Sequence, residues 1–468
     1  MSRIVIVGAG MAGCRLAEEI RRRDSQGAYR ITLIGSEPHA PYNRILLSSV
    51  VAGRHTEQDI ALKAPSWFTD NDIELLRDAT VARIDRKTRV VELMDGKAVG
   101  YDHLVLAMGA APVLPPVRGI IEERGQMHPA VTAFRQLDDA TRLSTLAKGA
   151  SSAVVVGGGL LGLEAARGLI ACGLQVDIVH GGSHLLDHHL DKVSGTALRK
   201  LAQHLGIGVH TGMRVTALER EGSKISRVRL ADGYRLPADI VVIAAGVRPA
   251  TRLAREAGIA VRSGVVVDDH LTSVEDPRIH ALGDCAEHRG VLTRQVHPAW
   301  EQAEVLAERL VEGRSHYAGS LPAVRLRAEG LDVAAIGEVT HEDTTQVEVA
   351  NPFRKTYKRL VLREGELVGG VFVGDVDAAG SLTVALERRH LVVDRTELLF
   401  GSHRTTISPA DLPDDCTVCA CNGVSAGAIR AVALGDDGGL AAVAETTRAT
   451  TGCGGCRDTV LAVLAGCA

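Results

Sequence analysis

The chain opens on an unbroken apolar run, Ile4 to Val7, followed by the glycine-rich turn "GAGMAG", an apolar-periodic stretch from about Met11 to Arg23, and a second apolar run, "YRITLIG". That order predicts strand, tight turn, helix and strand. The same order returns in "SAVVVGGGLLGLEAARGLIACGLQVDIVH", and two further details return with it. In each copy a later strand reaches an Asp-Gly turn, Asp95-Gly96 and then Asp232-Gly233. In each copy an Asp then precedes a closing glycine by seven residues, Asp102 to Gly109 and Asp239 to Gly246. A repeat of this detail predicts two related α/β domains, each a doubly wound Rossmann-like sheet.

Beyond about Ser320 the pattern changes. "LDVAAIGEV" and "YKRLVLREGELVGGVFVGD" predict strands split by turns, with a helix from about Ala379 to Arg388, so a small α+β unit suited to packing or association. The polar, proline-containing "GSHRTTISPADLPDD" predicts a linker, about Ser402 to Asp414, into a cysteine-bearing tail that it leaves free to swing. The expected domains are therefore residues 1–112 joined with 237–318, then 113–236, 319–402 and 403–468. A length of 468 residues suits roughly three domains or more.

The repeated turns carry a chemistry. In Gly8, Gly10 and Gly13, and again in Gly157, Gly159 and Gly162, the first glycine permits the tight turn. The second lets backbone approach a pyrophosphate, and the third lets helix pack on strand. A helix N-terminus attracts the phosphate charge. Glu37, after the second strand, is placed to accept from a ribose. In "SVEDPRIHALGDCAEH" the pair Gly283-Asp284 ends an extended segment ahead of a helix starting around Pro298, and returns the chain to the first domain with a carboxylate for a sugar hydroxyl. A structural turn and a solvated Asp remain the plain alternatives for these features. In the second copy His180 stands where an acid would select NAD, and no arginine follows it in "HGGSHLLDHHLD", which favours NADH over NADPH. The alternative for His180 is a loop histidine without a role.

Composition narrows the rest. A net charge of -4 gives no electrostatic case for nucleic acid, and the longest apolar runs are far short of the roughly 18 residues that cross a bilayer. The opening "MSRIVIVGAG" runs directly into a strand with no leader, so a cytoplasmic protein with reduced thiols is expected. Of nine cysteines, Cys14, Cys172 and Cys285 lie unpaired in the first two modules, which disfavours disulfide reduction there. Cys419 and Cys421, then Cys453 and Cys456, form C-x-C and C-x-x-C pairs at the end. Four thiolates at that spacing suit an iron-sulfur cluster, with structural zinc and a redox disulfide as rivals. A hydride brings two electrons and such a cluster carries one, which favours iron-sulfur beside a nucleotide-binding pair. The glycines beside the sulfurs leave backbone N–H groups free to tune it. Cys416 is a second, poorer partner for Cys419, and Cys467 is read as incidental.

"VCACNGVSAGAI" with "TTGCGGC" resembles the 2Fe-2S domain of bacterioferritin-associated ferredoxin. The stretches "APYNRILLSSVVAG", "LVLAMGA", "GGGLLGLEAARGL", "HLLDHHLD" and "AAGVRP" resemble the flavoprotein portion of the NAD(P)H nitrite reductase large subunit, and the arrangement is similar to the electron-transfer subunit of assimilatory nitrate reductase. The resemblance covers essentially the whole chain. It implies a two-dinucleotide-binding flavoprotein in which FAD takes Gly8, Gly10, Gly13, Glu37, Arg44, Gly109 and Asp284. NAD(P)H takes Gly157, Gly159, Gly162 and Glu164, and the 2Fe-2S cluster takes Cys419, Cys421, Cys453 and Cys456. The cofactor-binding set further includes Met11, Ala12, Val81, Ala107 and Gly283, then Leu160, Leu161, His180 and Gly246; Glu164 and Arg44 are the catalytic candidates, expected near the flavin, with a purely structural ion pair as the alternative for either. Two departures stand out: Met108 replaces a family threonine, and "LLSSV" lacks the lysine that related ferredoxin reductases place beside the flavin. The chain ends at Ala468 without the sirohaem domain of full nitrite reductases, so the terminal catalyst is expected in a separate polypeptide. The implied activity is NADH oxidation, hydride reaching FAD N5 and electrons leaving singly through the tail to the catalytic subunit of assimilatory nitrate reductase. A nitrite reductase component or a monooxygenase as acceptor, and a redox sensor without turnover, are the alternatives.

Overall fold

The computed structural model describes residues 1–122, 125–339, 343–387, 395–400, 412–419, 422–434, 439–451 and 456–467, apart from the side chains of Arg327 and Glu397. They form two compact units. The first holds residues 1–44, 56–111 and 247–320, and the second holds residues 45–55, 112–246 and the described residues from 321 onward.

The first unit is built on a parallel five-stranded sheet in the order Ile279–Ala281, His103–Leu106, Ser2–Val7, Tyr29–Ile34, Ile73–Leu76. Its central strands are continuous apolar runs because both faces are covered: Ile4, Val5, Ile6, Leu104, Val105 and Leu106 are all fully buried. Helix Met11–Arg23 turns Leu16, Ala17 and Ile20 inward and packs beside helix Val296–Glu312, where Arg15 lies over the Trp300 ring at 5.4 Å. A small antiparallel sheet, Val81–Asp85, Val90–Leu93 and Ala98–Gly100, closes its second hairpin on Asp95-Gly96, with Gly96 at a φ of +87°.

The second unit repeats this plan. Its parallel sheet runs Ile207–Thr211, Gln175–His180, Ser152–Val156, Ile240–Ile243, Val131–Ala133, and its antiparallel sheet, Val215–Glu221, Lys224–Leu230 and Arg235–Pro237, turns on Asp232-Gly233. The paired aspartates do matching work. Asp102 accepts from the Arg3 N–H at 2.8 Å, and Asp239 accepts from the Ser151 and Ser152 N–H groups at 2.9 Å, each tying down the start of a central strand. The copies differ in their outer strand. Val131–Ala133 precedes the second turn, whereas Ile279–Ala281 arrives only after the whole second module, which is why the first unit is discontinuous. Residues 45–55 cluster with the second unit: helix Leu47–Val51 lies on helices Leu137–Ala147 and Leu160–Ala171. Gly168 permits that approach, since a Cβ there would stand 3.1 Å from the Ser48 carbonyl oxygen.

Beyond Ser320 the second unit carries an antiparallel sheet ordered Ala323–Ala328, Leu331–Gly337, Glu366–Val373, Thr356–Arg363, Thr345–Asn351. Helices Ala379–Glu387 and Arg395–Phe400 cover a core that includes Ile336, Leu360, Phe372 and Leu382. The buried Arg359 reaches Asp191, the N-cap of helix Lys192–His204, at 2.9 Å, and donates to the Val339 carbonyl at 2.9 Å. Arg359→Met removes this ion pair and leaves the Val339 carbonyl without its donor, while the partly exposed Asp191 keeps its N-cap bonds, so the protein should lose about 1–3 kcal/mol in urea denaturation.

A second expectation arises in the first sheet. His280 is buried, with Nδ1 on Thr272 Oγ1 at 3.1 Å and Nε2 on His103 at 3.4 Å. Burial, reinforced by His103, holds its pKa down to about 3 from the usual 6.5. The unfolded chain therefore takes up a proton that the folded chain refuses. Stability from this neutral ring is complete above pH 6.5 and is lost as pH falls toward 3, by at most about 1.4 kcal/mol per pH unit. His280→Asn should flatten that limb of a pH series of urea midpoints.

Candidate functional site

The two glycine turns are the same object built twice. Gly8 and Gly157 sit at φ +120° and +123°, and a Cβ on either would lie 2.1 Å from a carbonyl oxygen, of Ala107 and Ala244 respectively. A Cβ on Gly13 or Gly162 would lie 2.0 Å from the oxygen of Gly8 or Gly157. Around Gly10 and Gly159, by contrast, nothing stands within 4 Å of an added Cβ. These two glycines N-cap helices Met11–Arg23 and Leu160–Ala171 without a side-chain cap or an acid in the first turn. Helix N–H groups thus face an open, uncapped cradle, the arrangement that suits a pyrophosphate. Met11, Ala12, Leu160 and Leu161 lie in those first turns.

The first unit gathers further candidates there. Ala107 donates its N–H to the Val7 carbonyl at 2.8 Å, and Gly109 follows at φ +65° with open space around it. A Cβ on Gly283 would lie 3.2 Å from the Ala12 methyl, so the Gly283-Asp284 turn abuts the first helix. Gln302 secures it by accepting from the Gly283 N–H at 2.7 Å. Glu37 accepts from Tyr42 Oη at 2.7 Å and pairs with Arg44, whose guanidinium lies 5.0 Å over the Tyr42 ring. Val81 instead pairs with Leu93 in the small sheet. Neither Tyr42 nor Gln302 stands in a spacing motif, so the sequence alone does not mark them.

None of the three cysteines in these modules is poised for redox work. Cys285 is buried, donates to the Leu106 carbonyl at 3.2 Å, and burial pushes its thiol up to about 12. Cys14 is buried in the first helix; Cys172 donates to the Val51 carbonyl at 3.3 Å, and desolvation raises its thiol too.

In the second module His180 ends strand Gln175–His180, and its Nδ1 accepts from the Gly158 N–H at 3.2 Å. Nε2 stands 3.2 Å from Asp187 Oδ1 but without hydrogen-bond alignment. Glu164 lies half-buried on helix Leu160–Ala171, and Gly246, at φ +99°, accepts from the Val113 N–H at 3.0 Å.

In the tail, Cys419 ends one strand of the hairpin Thr417–Cys419 and Val424–Ser425, and Cys456 N-caps helix Arg457–Ala465. Both are buried in one apolar cluster with Cys416, Ile429, Val443 and Val460. Cys421 and Cys453 lie outside the described residues, and among the described residues no group of three or more ligand side chains assembles. The Thr450 N–H donates to Cys456 Sγ at 3.2 Å from a left-handed backbone, φ +72°. Asn422 donates to the Arg448 carbonyl at 2.6 Å, tying the hairpin to the end of helix Leu440–Thr447. An amide aimed at a buried sulfur favours its thiolate form, which is what a metal centre requires.

Residues 2–303 match the model of the pyridine nucleotide-disulphide oxidoreductases, residues 322–390 the rubredoxin NAD+ reductase C-terminal domain, and residues 417–466 the BFD-like [2Fe-2S] binding domain. The nitrite reductase [NAD(P)H] of Bacillus subtilis is 34% identical, over 98% of this chain and 57% of its own. The assimilatory nitrate reductase electron transfer subunit of the same organism is 33% identical, over 98% and 59%. The chain thus spans little more than half the length of these relatives. The crystal structure of a ferredoxin reductase from Rhodopseudomonas palustris superposes with a TM-score of 0.73 at 30% identity, covering 80% of this chain and 91% of that one. Among the described residues no helix is long and apolar enough to cross a membrane.

Proposed function

The chain belongs to the pyridine nucleotide-disulphide oxidoreductase family, and from that membership we propose that it oxidises NADH and passes the electrons singly to a partner reductase. FAD and NAD(P)H are the cofactors of its two glycine turns, and a [2Fe-2S] cluster that of its tail. Bound together, they supply the conversion of a two-electron donor into one-electron steps, which no side chain performs.

The chain's own residues bind and orient. Gly8, Gly10 and Gly13 open the first helix to the FAD pyrophosphate. Glu37 and Asp284 offer carboxylates to its ribose and sugar-alcohol hydroxyls, and Arg44 pairs with Glu37 and holds it in place. Gly157, Gly159 and Gly162 do the same for the nicotinamide dinucleotide, with Glu164 on the helix they open. Cys419, Cys421, Cys453 and Cys456 hold the cluster, and the Thr450 N–H stabilises one of its thiolates. The observation that carries this reading is the doubled turn, identical in its two close approaches and its one opening.

The acceptor we favour is the catalytic subunit of assimilatory nitrate reductase, after the named relative of matching arrangement. The comparable identity to a nitrite reductase supports a second reading, in which a nitrite-reducing component takes the electrons. Anaerobic titration with NADH tests the core of the proposal. Both flavin and iron-sulfur bands should bleach, with iron recovered in stoichiometric amount. Zinc in place of iron, or bleaching confined to the flavin bands, would sink it.

A further inference from the structure

The two modules can be superposed residue by residue through their backbone hydrogen bonds. The Gly8 N–H donates to Ile34 O and the Gly157 N–H to Val179 O. The Ala79 N–H donates to Gly35 O, and the Met213 N–H to His180 O. The Asp78 N–H donates to Glu37 O, and the Gly212 N–H to Gly182 O. His180 therefore matches Gly35, and the counterpart of Glu37 is Gly182.

Side-chain volume confirms the correspondence. In the first module Ala9 stands in the turn and Gly35 at the strand end, where a Cβ would meet the Ala9 methyl at 2.7 Å. In the second the sizes are exchanged. Gly158 stands in the turn, where a Cβ would meet the His180 ring at 2.9 Å. In the second module a strand-end side chain takes this space, which His180 shares with Leu185, 2.6 Å from the same Cβ.

The acid missing at Gly182 comes from elsewhere. A Cβ on Gly182 would lie 1.9 Å from Asp187 Oδ2, so the Asp187 carboxylate occupies the space where a side chain at that position would begin. His180 Nδ1 accepts from the Gly158 N–H, and its Nε2 edge stands 3.2 Å from Asp187 Oδ1 without a hydrogen bond between them. The imidazole thus packs beside the carboxylate at the strand end while Nδ1 is tied to the turn.

We propose that Asp187, seated over Gly182 and beside His180, is the residue that reads the adenosine ribose and sets the preference for NADH over NADPH. A carboxylate accepts from the ribose 2′-hydroxyl and repels a 2′-phosphate. Arg214 flanks the same turn, its Nε 3.7 Å from a Cβ placed on Gly181, and becomes the dominant charge there once Asp187 is removed. The inference rests on the second module's taking a nicotinamide dinucleotide.

The test uses the flavin-loaded full chain with an artificial acceptor, measuring kcat and KM for NADH and NADPH, and calorimetry with ADP-ribose and its 2′-phosphate. Wild type should prefer NADH. Asp187→Ala should raise the KM for NADH about tenfold with kcat nearly unchanged, shift the NADH-to-NADPH ratio by at least that factor, and weaken ADP-ribose in parallel. Gly182→Ala, whose methyl displaces the carboxylate, should act in the same direction and decides the matter if the first variant does not fold. A wild-type preference for NADPH, or an unchanged KM in both variants, overturns the inference. Wild-type flavin that neither nucleotide reduces would instead defeat the proposed function, and ADP-ribose calorimetry would still report on Asp187.

Discussion

Cys456→Ser leaves NADH able to reduce the flavin but cuts electron delivery to the partner reductase by at least about 100-fold, the upper end of what disturbing a metal's outer partners alone costs. The turns and the cysteine belong to different domains along the chain. The nucleotide turns are formed within residues 2–303, whereas Cys456 lies in the tail domain of residues 417–466 and takes its hydrogen bond from Thr450. A hydroxyl cannot replace a thiolate as a soft ligand, and serine in that apolar cluster brings a polar group that the thiol did not. Stopped-flow reduction of the flavin by NADH should therefore match wild type within about twofold, and iron should fall in proportion to lost partner reduction. Cys419→Ser, at an equally buried thiol of the other loop, should give the same split. If the serine variants reduced the partner at the wild-type rate, electrons would not leave through the tail.

The repeated modules were legible because their signals are backbone sterics. A glycine whose added Cβ would stand 2.1 Å from a carbonyl oxygen cannot be anything else, and its spacing to the next glycine is set by one turn of chain. The two hairpins on Asp-Gly and the two strand-clamping aspartates were legible for the same reason. What the sequence could not display were meetings between distant segments. Gln302 under Gly283, the Gly283 turn against Ala12 and residues 45–55 against the second module all depend on how the sheets close. His180 shows the limit most clearly. Strand Gln175–His180 ends on it as the pattern predicts, but the carboxylate beside it, Asp187, comes seven residues later in the chain and over Gly182, which no spacing announces. In the tail the cysteine spacing announced a metal, while the left-handed turn that aims the Thr450 amide at Cys456 has no spacing signature.

The largest effect on stability should come from Gly157→Ala, and the contrast with Gly159→Val separates what folds the module from what binds to it. At Gly157 a methyl faces the Ala244 carbonyl oxygen at 2.1 Å on a backbone with φ +123°, a region closed to alanine. Strain of about 1–3 kcal/mol adds to a similar cost for forcing strand and turn apart, so about 2–6 kcal/mol is lost in total. Against the 5–15 kcal/mol that holds a typical domain together, about half of the module's stability goes. Gly159 has φ −82° and ψ −175°, ordinary extended backbone, and nothing within 4 Å of its Cβ direction. Valine there should cost about 1 kcal/mol or less, the loss of a permissive N-cap. Its side chain nevertheless projects into the opening over the helix N-terminus, where the pyrophosphate must approach. Charged hydrogen bonds of about 1.5–3 kcal/mol are then forfeited, which predicts a rise of about 10–100-fold in KM for NADH with FAD content and urea midpoint near wild type. Gly10→Val should transfer the defect to the first turn, giving a folded chain that fails to retain FAD. If Gly159→Val instead bound NADH as wild type does, the opening above that helix would not be where the nucleotide's phosphates lie.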